Sequence, residues 1–375
     1  MNLNHNEDNV LNLIKQNPFI SQQEIADHLQ INRSTVATII SSLMKKRQIL
    51  GKAYITNDSP TIVCIGGMNI DRKYQMIDNF VHYTSNPVNS QISVGGVARN
   101  IAENLGRLGH RVELLSLAGY DQDYEWIHKK TSPYVNCDRV QQIENYHTSS
   151  YTAILDTEGE MQFALADMAI CDQMNLVWIE NHFATLKNAQ AIVLDLNLPK
   201  DSVTYLIAFA KEYSIPLYIV PVSGPKMHHL PKDLAGVNGI IVNEDETQTF
   251  FNLDPNVNYP VDELASLWLS TGIQQIIITR GSRSTYYVNQ SNYHRDFLPP
   301  TTERIVDVTG AGDAFVAGFI HGQLNNHAIE DSIHLALTNA YHTIMSTETV
   351  RLELSAPKIY EEYLEITDRG CFHEY

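Results

Sequence analysis

The sequence predicts an α/β protein carrying a small separate β sheet and preceded by a helical segment of another kind. Three observations predict it. Short, continuous apolar runs recur between helical stretches from Thr61 onward, as expected of parallel strands covered on both faces. Two other stretches, about 73–93 and 150–165, alternate polar and apolar residues openly, as half-exposed strands do. Charge is also divided unevenly. Residues 1–58 carry six Lys/Arg against five Asp/Glu, a net of +1, which leaves −18 for the remainder of a chain with a formal charge of −17.

At 375 residues the chain is long enough for two domains, and 43% hydrophobic with 18% charged residues is a globular composition. The acidic balance excludes a protein that coats nucleic acid over its whole surface, so any such contact is local. Cys64, Cys137, Cys171 and Cys371 form no CxxC pair and are too sparse for a disulfide framework. No apolar run approaches the roughly 18 residues of a membrane span. A cytoplasmic protein without membrane contact is expected.

In the first segment, Val10, Leu11, Leu13 and Ile14 predict a short amphipathic helix closed near Asn17-Pro18. Ser21 with Glu24 three residues later forms a capping box for a second helix, with Ile25, Ala26 and Leu29 inward. A turn at 30–32 leads into a third helix from about Arg33 to Met44, with Val36, Ile39, Ile40 and Leu43 buried. Residues 48–55 read as a β-hairpin wing and 57–60 as a linker. Residues 1–58 thus resemble the winged helix-turn-helix domain of bacterial regulators. The resemblance implies DNA contact by Arg33, Ser34 and Thr35 at the start of a recognition helix, with Lys45, Lys46, Arg47 and Lys52 on phosphates. A three-helix module that packs on another protein surface fits the same pattern.

In residues 59–375 the apolar runs 62–65, 191–194, 217–220, 239–242 and 275–278 are the expected core strands. The alternating pair, with Thr157-Glu158-Gly159 as a turn, predicts a lid. The strongest chemical signal is the string 307–315, Asp-Val-Thr-Gly-Ala-Gly-Asp-Ala-Phe. Without bulk at Gly310, Ala311 and Gly312, backbone N–H groups at a helix start can approach a phosphate, and the helix dipole favours its charge. Asp313, in the first turn, can accept the proton of an attacking hydroxyl. A Walker A loop is absent.

This string is very similar to the signature of the ribokinase-like, or PfkB, kinases of carbohydrates and nucleosides, which implies a three-layer α/β sandwich with a β lid. Other marks follow in family order: Gly66-Gly67-Met68-Asn69-Ile70-Asp71, Gly95-Gly96-Val97-Ala98-Arg99-Asn100, Asn243-Glu244-Asp245-Glu246 and Thr279-Arg280-Gly281-Ser282. The resemblance implies that Asn69, Asp71, Gly95, Gly96 and Asn100 bind the sugar. It gives Asn243, Thr279, Gly281, Gly310, Gly312 and Asn339 to ATP, and Glu246 to Mg²⁺ through water. Asp307 and Thr309 would hold a monovalent cation, K⁺.

Within the family, stretches such as 85–88, 96–105, 148–151, 155–161 and 166–168 are most similar to pseudouridine kinases. The expected reaction is ATP-dependent phosphorylation of the pseudouridine 5′-hydroxyl, with Thr148, Ser149, Asp167 and Asn197 reading ribose or uracil. Alternatives are a kinase for another nucleoside or sugar, and a transcription regulator whose kinase-like domain senses a nucleoside. Val97, Val220 and Ser284 depart from positions that relatives fill with Lys, Asp and Gly. A homodimer is expected, because relatives pair their lids and helix-turn-helix modules bind two-fold.

Overall fold

The computed structural model describes residues 5–16, 20–51, 60–302 and 304–369. The chain divides into two compact units, Met1–Asp58 and Ser59–Tyr375.

In the first unit three helices, His5–Gln16, Gln22–Leu29 and Arg33–Lys45, enclose Val10, Leu11, Ile25, Ala26, Val36, Ile40 and Leu43. The Ser21 capping box forms, with Glu24 N–H donating to Ser21 Oγ at 3.1 Å and Ser21 N–H to Glu24 Oε2 at 2.6 Å. Gln30 takes the left-handed conformation that ends the second helix. Arg33, Ser34, Thr35, Lys45 and Arg47 are exposed. Lys46 differs from expectation: its ammonium is paired with the buried Glu7 at 2.6 Å, tying first helix to third. An ammonium committed in this way is a packing group. Residues 48–51 form no strand, and the rest of the expected wing, with Lys52 and the linker to 59, lies outside the described residues.

The second unit is built on an eight-stranded sheet. Its spatial order is His294–Phe297, Thr285–Asn289, Gln275–Thr279, Gly239–Asn243, Leu217–Val220, Ala189–Asp195, Thr61–Ile65 and Arg111–Leu115. The last six are parallel, and the first two form an antiparallel hairpin on the edge. Successive residues feed opposite faces. Val63 and Ile65 enter one core with Trp178, Leu206, Phe250 and Trp268; Ile62 and Cys64 enter the other with Ile101, Leu105, Phe315 and Phe319. Helices therefore cover both faces, which explains why the strands read as unbroken apolar runs. Strand order reverses at Thr61–Ile65, and a crevice for ligands lies where strands leave such a switch point at their C-terminal ends.

The lid is a separate sheet ordered Val88–Gly95, Asn69–Met76, Ser150–Leu155, Met161–Asp167. It begins a few residues earlier than the alternation suggests, because Asn69 to Asp71 pair directly with Ser93 to Gly95. Arg111–Leu115 and the 285–297 hairpin are strands that the apolar pattern did not single out. Cys64, Cys137 and Cys171 are buried free thiols; Cys371 lies outside the described residues. No helix among those described is long and apolar enough to cross a membrane.

One buried ion pair closes the C-terminal end of the fold. Arg351, fully buried, donates to Glu362 at 2.9 and 2.7 Å and to Asn339 Oδ1 at 3.0 Å. Arg351→Leu strands the Glu362 charge, and urea unfolding should show a loss of about 3–5 kcal/mol. Replacing Glu362 by Met as well should recover part of it; equal stability of Arg351→Leu and wild type would refute the pairing.

Candidate functional site

Strand ends and helix starts meet above the switch point. Asn69 and Asp71 open the first lid strand, and Asn69 Nδ2 donates to Asp71 Oδ1 at 2.6 Å. Opposite lies Gly95, where a Cβ would come within 2.1 Å of Asp71 Oδ2, so any side chain there would displace the carboxylate. Burial pushes Asp71 up to about 6, against the lowering effects of the Asn69 hydrogen bond and of Lys73 and Arg99.

Asp195, at the end of its strand, is fully buried. Its Oδ2 accepts backbone N–H groups of Gly67 at 2.9 Å and Ala98 at 3.0 Å, and its Oδ1 accepts that of Asn197 at 2.9 Å. Burial raises its pKa and these hydrogen bonds oppose the rise. Three chain segments are thereby pinned to one carboxylate.

Asp313 occupies the third position of the Ala311–Leu324 helix. Gly310 caps that helix with φ of +83°, and a Cβ on it would lie 2.1 Å from the Thr349 carbonyl oxygen. Both conformation and space therefore demand glycine. In front of Gly312, by contrast, no atom lies within 4 Å of where a Cβ would be. The N–H groups of a first helical turn have no acceptor within the helix, so this end offers donors to an open space. Asn100 Nδ2 donates to Asp313 Oδ2 at 2.8 Å, and Asn100 Oδ1 accepts from Arg99 at 2.9 Å. Asp313 keeps part of its surface open, yet its surroundings are dense. That burial pushes it up to about 7, opposed by the Asn100 hydrogen bond and reinforced by the charges of Asp195 and Asp71. A carboxyl with this pKa can take a proton from a hydroxyl near neutral pH.

Other residues singled out in the sequence fall into three groups. Asn243, Thr279 and Gly281 lie at or just beyond two neighbouring strand ends, and Gly281 has open space in front of it. Asn243 and Glu246 form a reciprocal cap, with Glu246 Oε2 accepting from Asn243 N–H at 2.9 Å and Asn243 Oδ1 accepting from Glu246 N–H at 2.8 Å. Ser284 has a job of its own: with Arg280 it holds Asp296, stiffening the loop between.

A second group already has partners within the protein. Thr148 Oγ1 donates to Asp121 Oδ1 at 2.7 Å and accepts from Gly119 N–H at 3.0 Å, so its hydroxyl is committed to a turn, though the residue still borders an open cleft with Asp121, Asp123, His147 and Asp167. Ser149 is buried with Oγ 3.7 Å from Cys171 Sγ. Asn339, expected at ATP, is fully buried, bonded to Asn104 Oδ1, the Ala314 carbonyl and Arg351. In each of the three the side-chain polar atoms have a protein partner or a buried setting.

In the third group, Asn197 is buried with Oδ1 lacking a partner, an unpaired acceptor that a bound hydroxyl or N–H would satisfy. Asp307 Oδ1 accepts Thr309 N–H at 2.9 Å and Thr309 Oγ1 at 2.7 Å, while Lys73 Nζ donates to Asp307 Oδ2 at 2.5 Å and Thr309 Oγ1 at 3.2 Å. Among the described residues no group of three or more His, Cys, Asp or Glu is placed to hold a metal ion. Sequence reasoning missed Asp195 and Lys73. An acid ending an apolar strand run was a signal for the first; nothing local marked the second.

Comparison with known proteins agrees with this geometry. Residues 59–353 match the pfkB family carbohydrate kinase, and residues 3–49 match a winged helix-turn-helix DNA-binding family. The chain is 29% identical over 343 residues to the uncharacterized sugar kinase YeiI of Escherichia coli (strain K12), covering 90% of this chain and 93% of that one. It is 28% identical over 276 residues to the pseudouridine kinase of the same organism, covering 73% and 87%. The structure of Arabidopsis thaliana ribokinase complexed with ribose and ATP superposes with a TM-score of 0.70 at 15% identity, covering 81% of this chain and 98% of that one, a likeness of fold. With four-fifths of its length matched, a winged helix-turn-helix at its start and an acid at a glycine-lined helix tip, the chain belongs to the PfkB family of sugar and nucleoside kinases.

Proposed function

We propose that this kinase transfers the γ-phosphoryl group of ATP to the 5′-hydroxyl of pseudouridine, with Asp313 as general base. The observation that carries the reading is the Asp313 carboxylate, held near pH 7 in its titration beside the N–H groups of Gly310 and Gly312 at an open helix tip. The hydroxyl proton passes to Asp313, the oxygen bonds to the γ-phosphorus, and the bond from phosphorus to the ADP oxygen breaks. N–H groups of Gly310, Ala311 and Gly312 hold the phosphoryl oxygens. Asn69, Asp71 and Asn100 orient the ribose, with room provided by Gly95 and Gly96. Asn243, Thr279 and Gly281 line the path of the nucleotide. When bound, Mg²⁺ neutralises the phosphate oxygens, and Glu246, whose Oε1 lies outside its cap, would hold it through water.

Pseudouridine as acceptor rests on the similarity to the pseudouridine kinase of Escherichia coli, with the ribose met by the acceptors Asn69 and Asp71. The unpaired Asn197 Oδ1 offers a further acceptor. The helix-turn-helix module favours a second, compatible role in which the chain also regulates transcription through Arg33, Ser34, Thr35, Lys45 and Arg47. A dimer is supported by the outer lid face. Ile92 and Leu165 lie in one cross-strand row through Arg72 and Thr152, and with Phe163 they expose an apolar surface that a second copy would cover.

The substrate is tested by incubating the purified chain with ATP, Mg²⁺ and pseudouridine, uridine, guanosine, inosine or ribose, and identifying products by mass. Pseudouridine should give a monophosphate with the highest kcat/KM. A preference of about tenfold or more for an acceptor without uracil would sink the assignment.

Asp313→Asn and Gly312→Ala separate chemistry from folding. Wild-type kcat should rise with pH through about 7 and level off above it, because Asp313 acts ionised. An acid whose pKa is raised on folding takes up a proton as it folds. Its burial therefore costs stability as pH climbs from the unfolded value toward 7, and Asp313→Asn should remove that cost, gaining about 1–2 kcal/mol at pH 8 while turnover falls by roughly a thousandfold. Gly312→Ala should leave thermal stability unchanged or slightly higher, since its Cβ meets nothing, while ATP turnover falls at least about tenfold. Full activity in either variant would contradict the assignment.

Light scattering of Leu165→Glu should report a monomer where wild type is a dimer. The same variant should lose affinity for DNA fragments that the wild type selects from a random pool, because two half-sites are then read independently. An unchanged dimer would move the interface elsewhere.

A further inference from the structure

Lys73 lies on the first lid strand, two residues beyond Asp71, and period-2 alternation puts both side chains on the cleft face. Its ammonium reaches out of the lid to the loop that leads into the Gly310 cap. There it donates to Asp307 Oδ2 at 2.5 Å and to Thr309 Oγ1 at 3.2 Å. Asp307 Oδ1 is taken by two donors from Thr309 at 2.7 and 2.9 Å. Both carboxylate oxygens are therefore satisfied, and the negative charge already faces a positive one.

The PfkB resemblance assigns Asp307 and Thr309 to a monovalent cation. The side chains present do not fit an added one: an inorganic cation would compete with the ammonium for Asp307 Oδ2 and Thr309 Oγ1 and would be repelled by it at contact distance. We propose that Lys73 is a positioning residue whose ammonium stands in for the monovalent cation, fixing the Asp307–Thr309 loop and hence the Gly310 tip without K⁺. Thr309 immediately precedes the capping Gly310, so a charge holding Thr309 also holds the first N–H groups of the helix in place. The inference rests on the phosphoryl-transfer reading of that tip, and not on which acceptor is phosphorylated.

Removing the ammonium should leave the fold intact, since both partners of the pair are a quarter exposed and such pairs add little stability. The test compares wild type, Lys73→Ala and Lys73→Arg in KCl and in tetramethylammonium chloride at equal ionic strength, reading ATP turnover and thermal unfolding. Wild type should give the same turnover and the same Tm in both salts. Lys73→Ala should lose about tenfold or more in kcat in tetramethylammonium and recover most of it in K⁺. Its Tm should rise by a few degrees, roughly 2–4 °C, in K⁺ alone, as binding to the folded state requires. Lys73→Arg should remain independent of K⁺. Wild-type activation and stabilisation by K⁺ would overturn the proposal, as would Lys73→Ala that is fully active without K⁺ or whose loss K⁺ does not restore. The unfolding measurements need no acceptor, so they decide for or against the ammonium even where no substrate is phosphorylated.

Discussion

Asp313, with the carboxylates of Asp195 and Asp71 within electrostatic reach of it, is the constraint around which the second unit is arranged. Gathering like charges in a sheltered cleft is costly, and each is compensated by a different device. Asp195 is met by three backbone N–H groups, Asp71 by the Asn69 amide, and Asp313 by Asn100 and the dipole of its own helix. The compensation for Asp195 is structural, three backbone N–H groups opposing the rise that burial imposes. That for Asp313 is partial, which is why its proton remains available near neutral pH. A reactive acid thus depends on a silent one: the backbone N–H groups that solvate Asp195 are the same segments that aim Asn69 and Asn100.

The site is assembled from two bodies of different character. The sheet and its helices supply rigid strand ends and two helix N-termini, packed on cores that exclude water on both faces. The lid is a thin sheet held down from its cleft face by Lys73 to Asp307 and from its other face by Arg72 to Asp123 at 2.8 Å. Few bonds join it to the sheet, as a part that must open for substrate requires. The small N-terminal unit follows the same economy, with seven buried apolar residues and one buried acid, Glu7, among its described residues, the acid matched by Lys46.

How much was legible in the sequence depended on how local the cause was. The capping box at Ser21, the core strands and the glycine-lined helix start all rest on residues within a few positions of one another, and the structure has them where the pattern put them. Hydroxyls were harder. Thr148 and Ser149 read as polar groups next to a lid strand, but their partners are Asp121 and Cys171, some 20 to 30 residues away. Asn339 belongs to a buried network that joins three segments, one of them more than 200 residues distant, and a helical asparagine carries no mark of that. Lys73 looked like an ordinary solvated position in an alternating strand. Its partner is 234 residues further on.

The sequence alone determined the alternation of strands and helices, the two-unit division of charge, the caps, and the single position where an acid follows glycines into a helix, since these follow from backbone geometry and periodicity over short spans. Only tertiary structure decided which polar atoms are spent inside the protein and which still face the cleft. A donor or acceptor is satisfied by whatever the fold brings within about 3 Å of it, and that neighbour is seldom a neighbour in the chain.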